Sequence, residues 1–458
     1  MSASRHIQTA ASGLQWLEMR TTPINASSAA GESAAEELPS PNIRWNFFTL
    51  ASIQIVMRTG WIFKTESIVM PAIMDMLSGE AWLRGCLPML NRFGLSIPPL
   101  IAAARIRSAK LKKLFLVGSV FVAAATFFGI ATMFYFGGSG RSGWMTVCFL
   151  ALYAVFFMAV GLNQLSFSTL QGKLIPVNQR GRLMMTSNVL GAILAIGFAG
   201  FLMPQWLWPD GGRFDLMCGF AGGCFLLSAL IGLAIRECED SFPQVHEPLM
   251  ARVRETLAVF GDDKNFRRVA LLSALFGCSF MLFPHYQTLG RERLQLDFDN
   301  LVWWVIIQNG GTALFSFLAG PIADSRGNRL VLRIVVLCAA LAPLSAIWLT
   351  RNIEFGVVLF PAVFVLLGMS PVAIRTLNNY TLEICPRESH PKYLSAQGLC
   401  IAVPIFISPL VGRAIDIIGM DPVFYVISGL AFLGWLITFA LSEPRHHQKT
   451  AVRLPLES

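Results

Sequence analysis

FFTLASIQIVMRTGWIFKTESIVMPAIM, residues 47–74, decides how the rest of the chain is read. Most of it is apolar, yet RTGWIFKTES at 58–67 sets Arg58, Lys64 and Glu66 into its middle. A charge at the centre of a bilayer costs at least ~2.5–3.5 kcal/mol on insertion scales, whereas a charge on a water-facing helix costs nothing comparable. Whether this segment crosses a membrane therefore settles both the fold and the meaning of the three charges.

Composition answers first. Of 458 residues, 54% are hydrophobic and only 14% charged, with a mean hydropathy of +0.58. A soluble domain carries roughly 25% charged residues, so this chain has too few to coat a surface in water. It reads as an integral membrane protein. The nine cysteines lie mostly within apolar segments and form no CxxC pair or Cys/His cluster, so they read as packing residues, and no metal or other cofactor is expected. The net charge of +9 is spread between apolar segments rather than gathered in a long basic run, which argues against a nucleic-acid partner.

Residues 1–42 are small, polar and acidic, and read as a disordered cytoplasmic tail. From there apolar segments recur near the ~20 residues that span a bilayer. They fall at about 46–73, 83–105, 114–136, 144–168, 183–203 and 214–235, then at about 269–289, 300–322, 330–350, 354–375, 394–414 and 421–441. The expectation is an all-α membrane protein of about twelve transmembrane helices in two six-helix bundles, 43–235 and 269–443. A cytoplasmic linker at 236–268 joins them, with Leu249, Val253, Leu257 and Phe260 at the spacing of a surface-lying helix, and 444–458 forms a second tail. Thirteen Lys and Arg sit in one alternate set of short loops and six in the other. By the positive-inside rule the richer set, and both termini, face the cytoplasm of a cell (inner) membrane.

The two halves echo each other. GLNQLSFSTLQGKLIP (161–176) and GMSPVAIRTLNNYTLEICP (368–386) both read Gly, seven residues, Thr-Leu, then a terminating Pro, at an offset of 207. IPPLIAAARIRSAKLKK (97–113) and AGPIADSRGNRLVLR (319–333) occupy corresponding connections. Duplicated halves suggest a site between them. GPIADSRGNRL is also similar to the conserved loop of the major facilitator superfamily, Gly-x-x-x-Asp-x-x-Gly-x-Arg/Lys, with Gly320, Asp324, Gly327 and Arg329 on the pattern. Ser325 and Asn328 depart from it, and the first-half copy lacks the acid. In this loop Gly320 would allow close helix approach, Gly327 a turn with positive φ, Asp324 a charge–dipole contact with a neighbouring helix N-terminus, and Arg329 an anchor at the headgroups.

The resemblance implies a monomeric secondary transporter in which two bundles rock about a midplane site, lined by the first, fourth, seventh and tenth helices. Polar residues there are Gln54, Arg58, Lys64, Glu66, Asn163, Gln164, Ser166, Ser279, Ser370 and Arg375, with Arg92, Gln308 and Asn309 on helices two and eight. The expected substrate ligands are Arg58, Arg92, Asn163, Gln164, Gln308, Asn309 and Arg375, and Glu66 is the candidate for coupling to a proton. On one unbroken helix Glu66 is turned roughly 80° from Arg58 and Lys64 roughly 240°, so Lys64 is expected to snorkel outward. His285, Tyr286 and Gln287 are expected as interfacial anchors, and Pro98, Pro99 and Pro404 as helix breaks. The substrate is expected to be a small polar solute with an anionic group, moved at the expense of an ion or solute gradient, since no ATP-binding loop occurs. Arg58 paired with an acid on another helix is the structural alternative. For the whole chain the alternatives are efflux of amphipathic compounds, a membrane enzyme, or a receptor without flux. The sequence holds no HExxH, GxSxG or paired-Cys motif for the enzyme.

Overall fold

Twelve helical spans follow one another in the computed structural model, which describes residues 42–138, 142–207, 212–239, 254, 256, 258–261, 263–386 and 389–442. The first six are α1 (Ile43–Ile62 and Val69–Leu77), α2 (Ala81–Ser108), α3 (Lys113–Gly137), α4 (Gly143–Leu174), α5 (Val177–Leu207) and α6 (Phe214–Leu233). The second six are α7 (Lys264–Cys278 and Phe283–Leu294 across a 3₁₀ turn), α8 (Asn300–Arg326), α9 (Asn328–Arg351), α10 (Ile353–Leu359, Pro361–Leu367 and Ser370–Ile384), α11 (His390–Ile405 and Ser408–Ile418) and α12 (Met420–Ile437). Ten of them, α3 to α12, are long and apolar enough to cross a membrane by length and composition. The other two are more polar: the first piece of α1 holds Arg44, Asn46, Gln54 and Arg58, and α2 holds Arg84, Arg92, Arg105 and three prolines. Apart from Asn42, both expected tails lie outside the described residues. So do Leu249, Val253 and Leu257 of the expected linker helix, while Val259 is helical and buried in the second bundle's core.

The break in α1 corrects the single helix expected over 46–73. Beyond Ile62, Phe63 N donates to Gly60 O at 3.2 Å and Lys64 N to Trp61 O at 3.1 Å, a tightened turn that ends the α-helical ladder. Thr65 starts the next segment by accepting from Val69 N through its carbonyl at 3.0 Å and its hydroxyl at 3.3 Å. The helical rotation from Arg58 to Lys64 therefore does not hold. Proline behaves unevenly too: α2 runs unbroken through Pro98 and Pro99, whereas α11 stops one residue after Pro404.

The sequence repeat has a packing cause. Gly161 of α4 faces the Gly94 carbonyl of α2, and Gly368, leading into the last piece of α10, faces the Gln308 carbonyl of α8. At both positions a Cβ would overlap backbone. Each half thus crosses its second and fourth helices at a glycine, where the helices approach closely without a side chain between them. The repeated threonines match as well, Thr169 Oγ1 donating to Leu165 O at 2.8 Å and Thr376 Oγ1 to Val372 O at 2.9 Å.

The ends of the molecule differ. Call the end carrying the α2–α3, α4–α5, α8–α9 and α10–α11 connections the basic end. At the opposite end one apolar core runs through both bundles, including Phe134 and Met203 of the first and Leu289, Trp304 and Phe424 of the second. At the basic end the second bundle keeps a separate core around Phe266, Val335 and Tyr380. The bundles are fused at one end and parted at the other.

Candidate functional site

Where the bundles part they enclose a cavity of about 790 Å³. Arg58, Glu66, Arg92, Asn163, Gln164, Gln308, Asn309 and Arg375, read from the sequence as candidate ligands or coupling residues, all line it. Among the lining residues Gln164, Ser168, Met184, Asn188 and Arg375, towards the basic end, are exposed, while Ser67 at the far side is buried. The cavity therefore opens to the basic end. Ser166 and Ser279 stand outside its lining; Ser279 Oγ donates to Phe276 O at 2.7 Å within its own turn.

The break in α1 builds the charged wall. It turns Lys64 inward, where the side chain is wholly buried, contrary to the expectation that it snorkels. Its ammonium lies 3.4 Å from the Trp61 ring centroid, 4.3 Å from that of Phe157 and 5.1 Å from that of Phe156. Aromatic faces carry negative charge density and replace part of the lost hydration. The ammonium also donates to Glu66 Oε1 at 2.8 Å, and Asn91 Nδ2 of α2 donates to Glu66 Oε2. Glu66 is the single acid among the lining residues, and it is already engaged.

The arginines are held differently. Arg58 lies across α5, where the absence of a side chain at Gly191 leaves room: a Cβ there would sit 3.0 Å from Arg58 Cδ. Its Nη1 donates to Asn188 Oδ1, one turn earlier on α5, at 3.1 Å. Neither contact supplies negative charge. Arg92 of α2 stands with its guanidinium carbon 5.3 Å from the Phe280 centroid of α7. Arg375 of α10 donates through Nε to its own helix at Pro371 O, 3.3 Å. Among the amides, Asn163 Nδ2 is 3.4 Å from Met57 Sδ, Asn309 Nδ2 donates to Val305 O at 2.9 Å, and Gln308 Oε1 accepts from Ser67 Oγ at 2.6 Å across the bundle interface.

The far side is closed by two carboxylates that sequence reading passed over. Asp75 of α1 accepts from Arg84 of its own bundle, and from Gln287 Nε2 at 2.7 Å and Thr288 Oγ1 at 2.8 Å of α7. Asp416 of α11 reciprocates by accepting from the Ala81 and Trp82 amides at 2.8 and 3.1 Å, capping the start of α2. His285, Tyr286 and Gln287 are therefore not interfacial anchors but buried at this closure. Asp75 in VMPAIMDML is a lone acid in an apolar run, the same kind of signal that singled out Glu66.

In the loop between α8 and α9, Gly327 has φ +87°, as its turn required. Gly320 faces open space, so the close approach expected there does not occur. Asp324 is exposed in the last turn of α8, ahead of the α9 N-terminus at Asn328. Arg329 Nη1 donates to Leu441 O at 2.9 Å and ties α9 to the end of α12.

Known proteins resemble this arrangement. The family model described as the Major Facilitator Superfamily matches residues 269–457. No curated protein sequence matches significantly. Among solved structures, a point variant of the nucleoside transporter NupG superposes with a TM-score of 0.69 at 11% identity, over 87% of this chain and 100% of that one. A D-xylose–proton symporter gives 0.64 at 13%, over 87% and 98%. The E. coli fucose:proton symporter FucP gives 0.54 at 12%, over the same shares. At such identities the likeness concerns the fold.

Proposed function

We propose that this chain, which belongs to the major facilitator superfamily and is an integral multi-pass membrane protein and secondary transporter, moves a small polar anion by alternating access. Arg58 and Arg92 are its main ligands, and Asn163, Gln164, Gln308 and Asn309 hydrogen-bond its polar remainder. The observation that carries the reading is charge: three arginines line one cavity whose single acid is engaged by Lys64 and Asn91. Arginine suits the task because its guanidinium stays charged and presents paired donors to oxyanions. Glu66, expected from sequence as the proton carrier, has on this reading another role. It is the counter-ion that keeps Lys64, and with it the break in α1, in position.

On the same reading the basic end faces the cytoplasm, so the chain is described open to the inside, and it works as a monomer. The test is a thermal-shift panel of anionic, neutral and cationic solutes on purified protein, because a cavity ligand at 100 times its Kd stabilises by about 2.7 kcal/mol. Anions should raise the melting temperature of the wild type. In Arg58→Gln that rise should vanish while the variant still elutes as one folded species. Stabilisation by neutral or cationic solutes alone would sink the anion. It would favour the second reading, efflux of amphipathic compounds, which Trp61, Phe167, Phe280 and Phe283 in the cavity wall support.

A further inference from the structure

His285 is wholly buried in the second piece of α7, and neither of its ring nitrogens meets a hydrogen-bond partner within the protein. A neutral imidazole carries one donor and one acceptor, so both are unmet while the end opposite the basic one is shut. The ring lies one turn before Thr288, on the same face of the helix. Thr288 and Gln287 make the link to Asp75 that joins α7 to α1 across the bundles. His285 stands outside the lining of the central cavity. Water therefore reaches it by parting this closure, not from the basic end.

The surrounding charges decide which form of the ring fits there. Two guanidiniums converge on the Asp75 carboxylate, Arg84 through a hydrogen bond and Arg291 with its Nη1 at 3.9 Å. Arg293 of α7 and Arg351 of α9 both pair with Asp421 of α12 at 2.7 Å. Glu80 before α2, Glu292 of α7 and Glu354 of α10 are exposed. Deeper on α2, Arg92 faces the Phe280 ring, while the Cys86 thiol donates to Trp82 O at 3.5 Å and Tyr286 packs on Phe424. The hub's one carboxylate is thus already shared by two cations, and an imidazolium would add a third with no access to water. Burying a charge without a partner is too costly for that, so the shut closure takes only the neutral ring. Opening pulls Gln287 and Thr288 off Asp75, and the ring that shares their face meets water, where imidazole takes a proton near pH 6.5. A ligand that binds one conformation alone shifts the balance towards it. We propose that His285 is a proton-operated brake: acid on this side charges the ring while the end is open and holds it open, halting the cycle. The proton is not carried through, because the shut form excludes it. The proposal rests on alternating access and is independent of which solute is moved.

The experiment uses the full chain in oriented membrane vesicles, freed of native cysteines and carrying Ser67→Cys. An impermeant maleimide is applied from the side opposite the basic end, and pH is changed on one side at a time. Dividing each rate by that of the same chain with His285→Gln removes the pH dependence of the thiol itself. Between pH 7.5 and 5.5 on the maleimide side the corrected rate should rise about tenfold, the change in proton binding expected of an imidazole accessible only in the open form. The same acid at the basic end should change nothing. His285→Lys, charged throughout this range, should react at pH 7.5 about as fast as the wild-type ring does at pH 5.5. An equal pH response with His285 and with Gln would overturn the proposal, as would an equal response to acid on either side. Should the glutamine variant not insert as a folded species, the sidedness and the lysine variant decide. A Ser67→Cys thiol that never reacts from this side, at either pH, would show that this end does not open. Both the brake and the alternating-access reading would then fall.

Discussion

Replacing Glu66 by Gln should weaken the fold and not merely uncouple it. Lys64 is 0% exposed and Glu66 26%, so the substitution takes the charged partner from an ammonium with no access to water. Removing one member of a buried pair costs about 3–5 kcal/mol. The glutamine oxygen can still accept a hydrogen bond from the ammonium, worth about 1 kcal/mol, and the partial exposure of Glu66 weakens the attraction that is lost. A net cost of about 2–3 kcal/mol follows from these terms. In detergent melts it should appear as a drop of about 5 °C, since 1 kcal/mol moves a protein of 150–250 residues by about 2–4 °C and a longer chain by less. Lys64→Met leaves Glu66 with Asn91 and cavity water, and should cost on the order of 1 kcal/mol. The double variant should melt closer to wild type than Glu66→Gln alone, because uncharged side chains of similar length fill the aromatic box without an orphaned charge. The reasoning fails if Glu66→Gln melts like wild type and abolishes only uptake driven by a pH gradient, for Glu66 would then be the proton carrier.

Asp75→Asn should loosen the closed end. Hydrogen bonds to a charged group are worth about 1.5–3 kcal/mol, so losing the charge at the hub should change the population open at that end about tenfold or more. In a background freed of native cysteines, Ser67→Cys should react correspondingly faster with an impermeant maleimide applied from that side; an unchanged rate would show that Asp75 does not hold the end shut. Asp324→Asn should slow transport more than it lowers the melting temperature, the loss being about 0.3–1 kcal/mol of charge–dipole interaction. Wild-type transport in that variant would leave the loop as a plain turn. Gly161→Val and Gly368→Val should each cost about 1–3 kcal/mol by overpacking a helix crossing, and if one melts like wild type the crossings are not equivalent. Reporters fused after residue 457 and within 137–143 should report opposite compartments, whereas matching signals would contradict the even number of spans.

The spans were legible because hydropathy and loop charge are local properties; most boundaries moved by six residues or fewer, but α10 runs nine residues past its expected end and α1 is broken. The candidate ligands were legible for a related reason: Arg58, Arg92 and Arg375 stand out in apolar surroundings, and the duplicated halves direct such residues to one interface. What stayed hidden depends on contacts distant in the chain. Lys64 was misread because the angular argument presumes an unbroken helix, and the break becomes plain only with Trp61, Phe156 and Phe157 gathered around the ammonium. Asp75 and Asp416 lie on different bundles from the donors that define their role, Gln287 and Thr288 in one case and the Ala81 and Trp82 amides in the other. Nothing in VMPAIMDML or SPLVGRAIDII names those partners. Gly320 satisfies a motif without making the contact the motif suggests.

The aromatic box around Lys64 also bears on how the chain is made. Trp61 is at hand as soon as α1 is synthesised, but Phe156 and Phe157 sit on α4, some ninety residues downstream. At about 5–20 residues per second that interval is about 5–20 s. During it the ammonium has neither its full cage nor, until α2 appears, the Asn91 that steadies Glu66. Nor do α1 and α2 reach the apolarity over a membrane-spanning length that the other ten spans have. The packing that buries the Lys64 ammonium can therefore be complete only once α4 has been made.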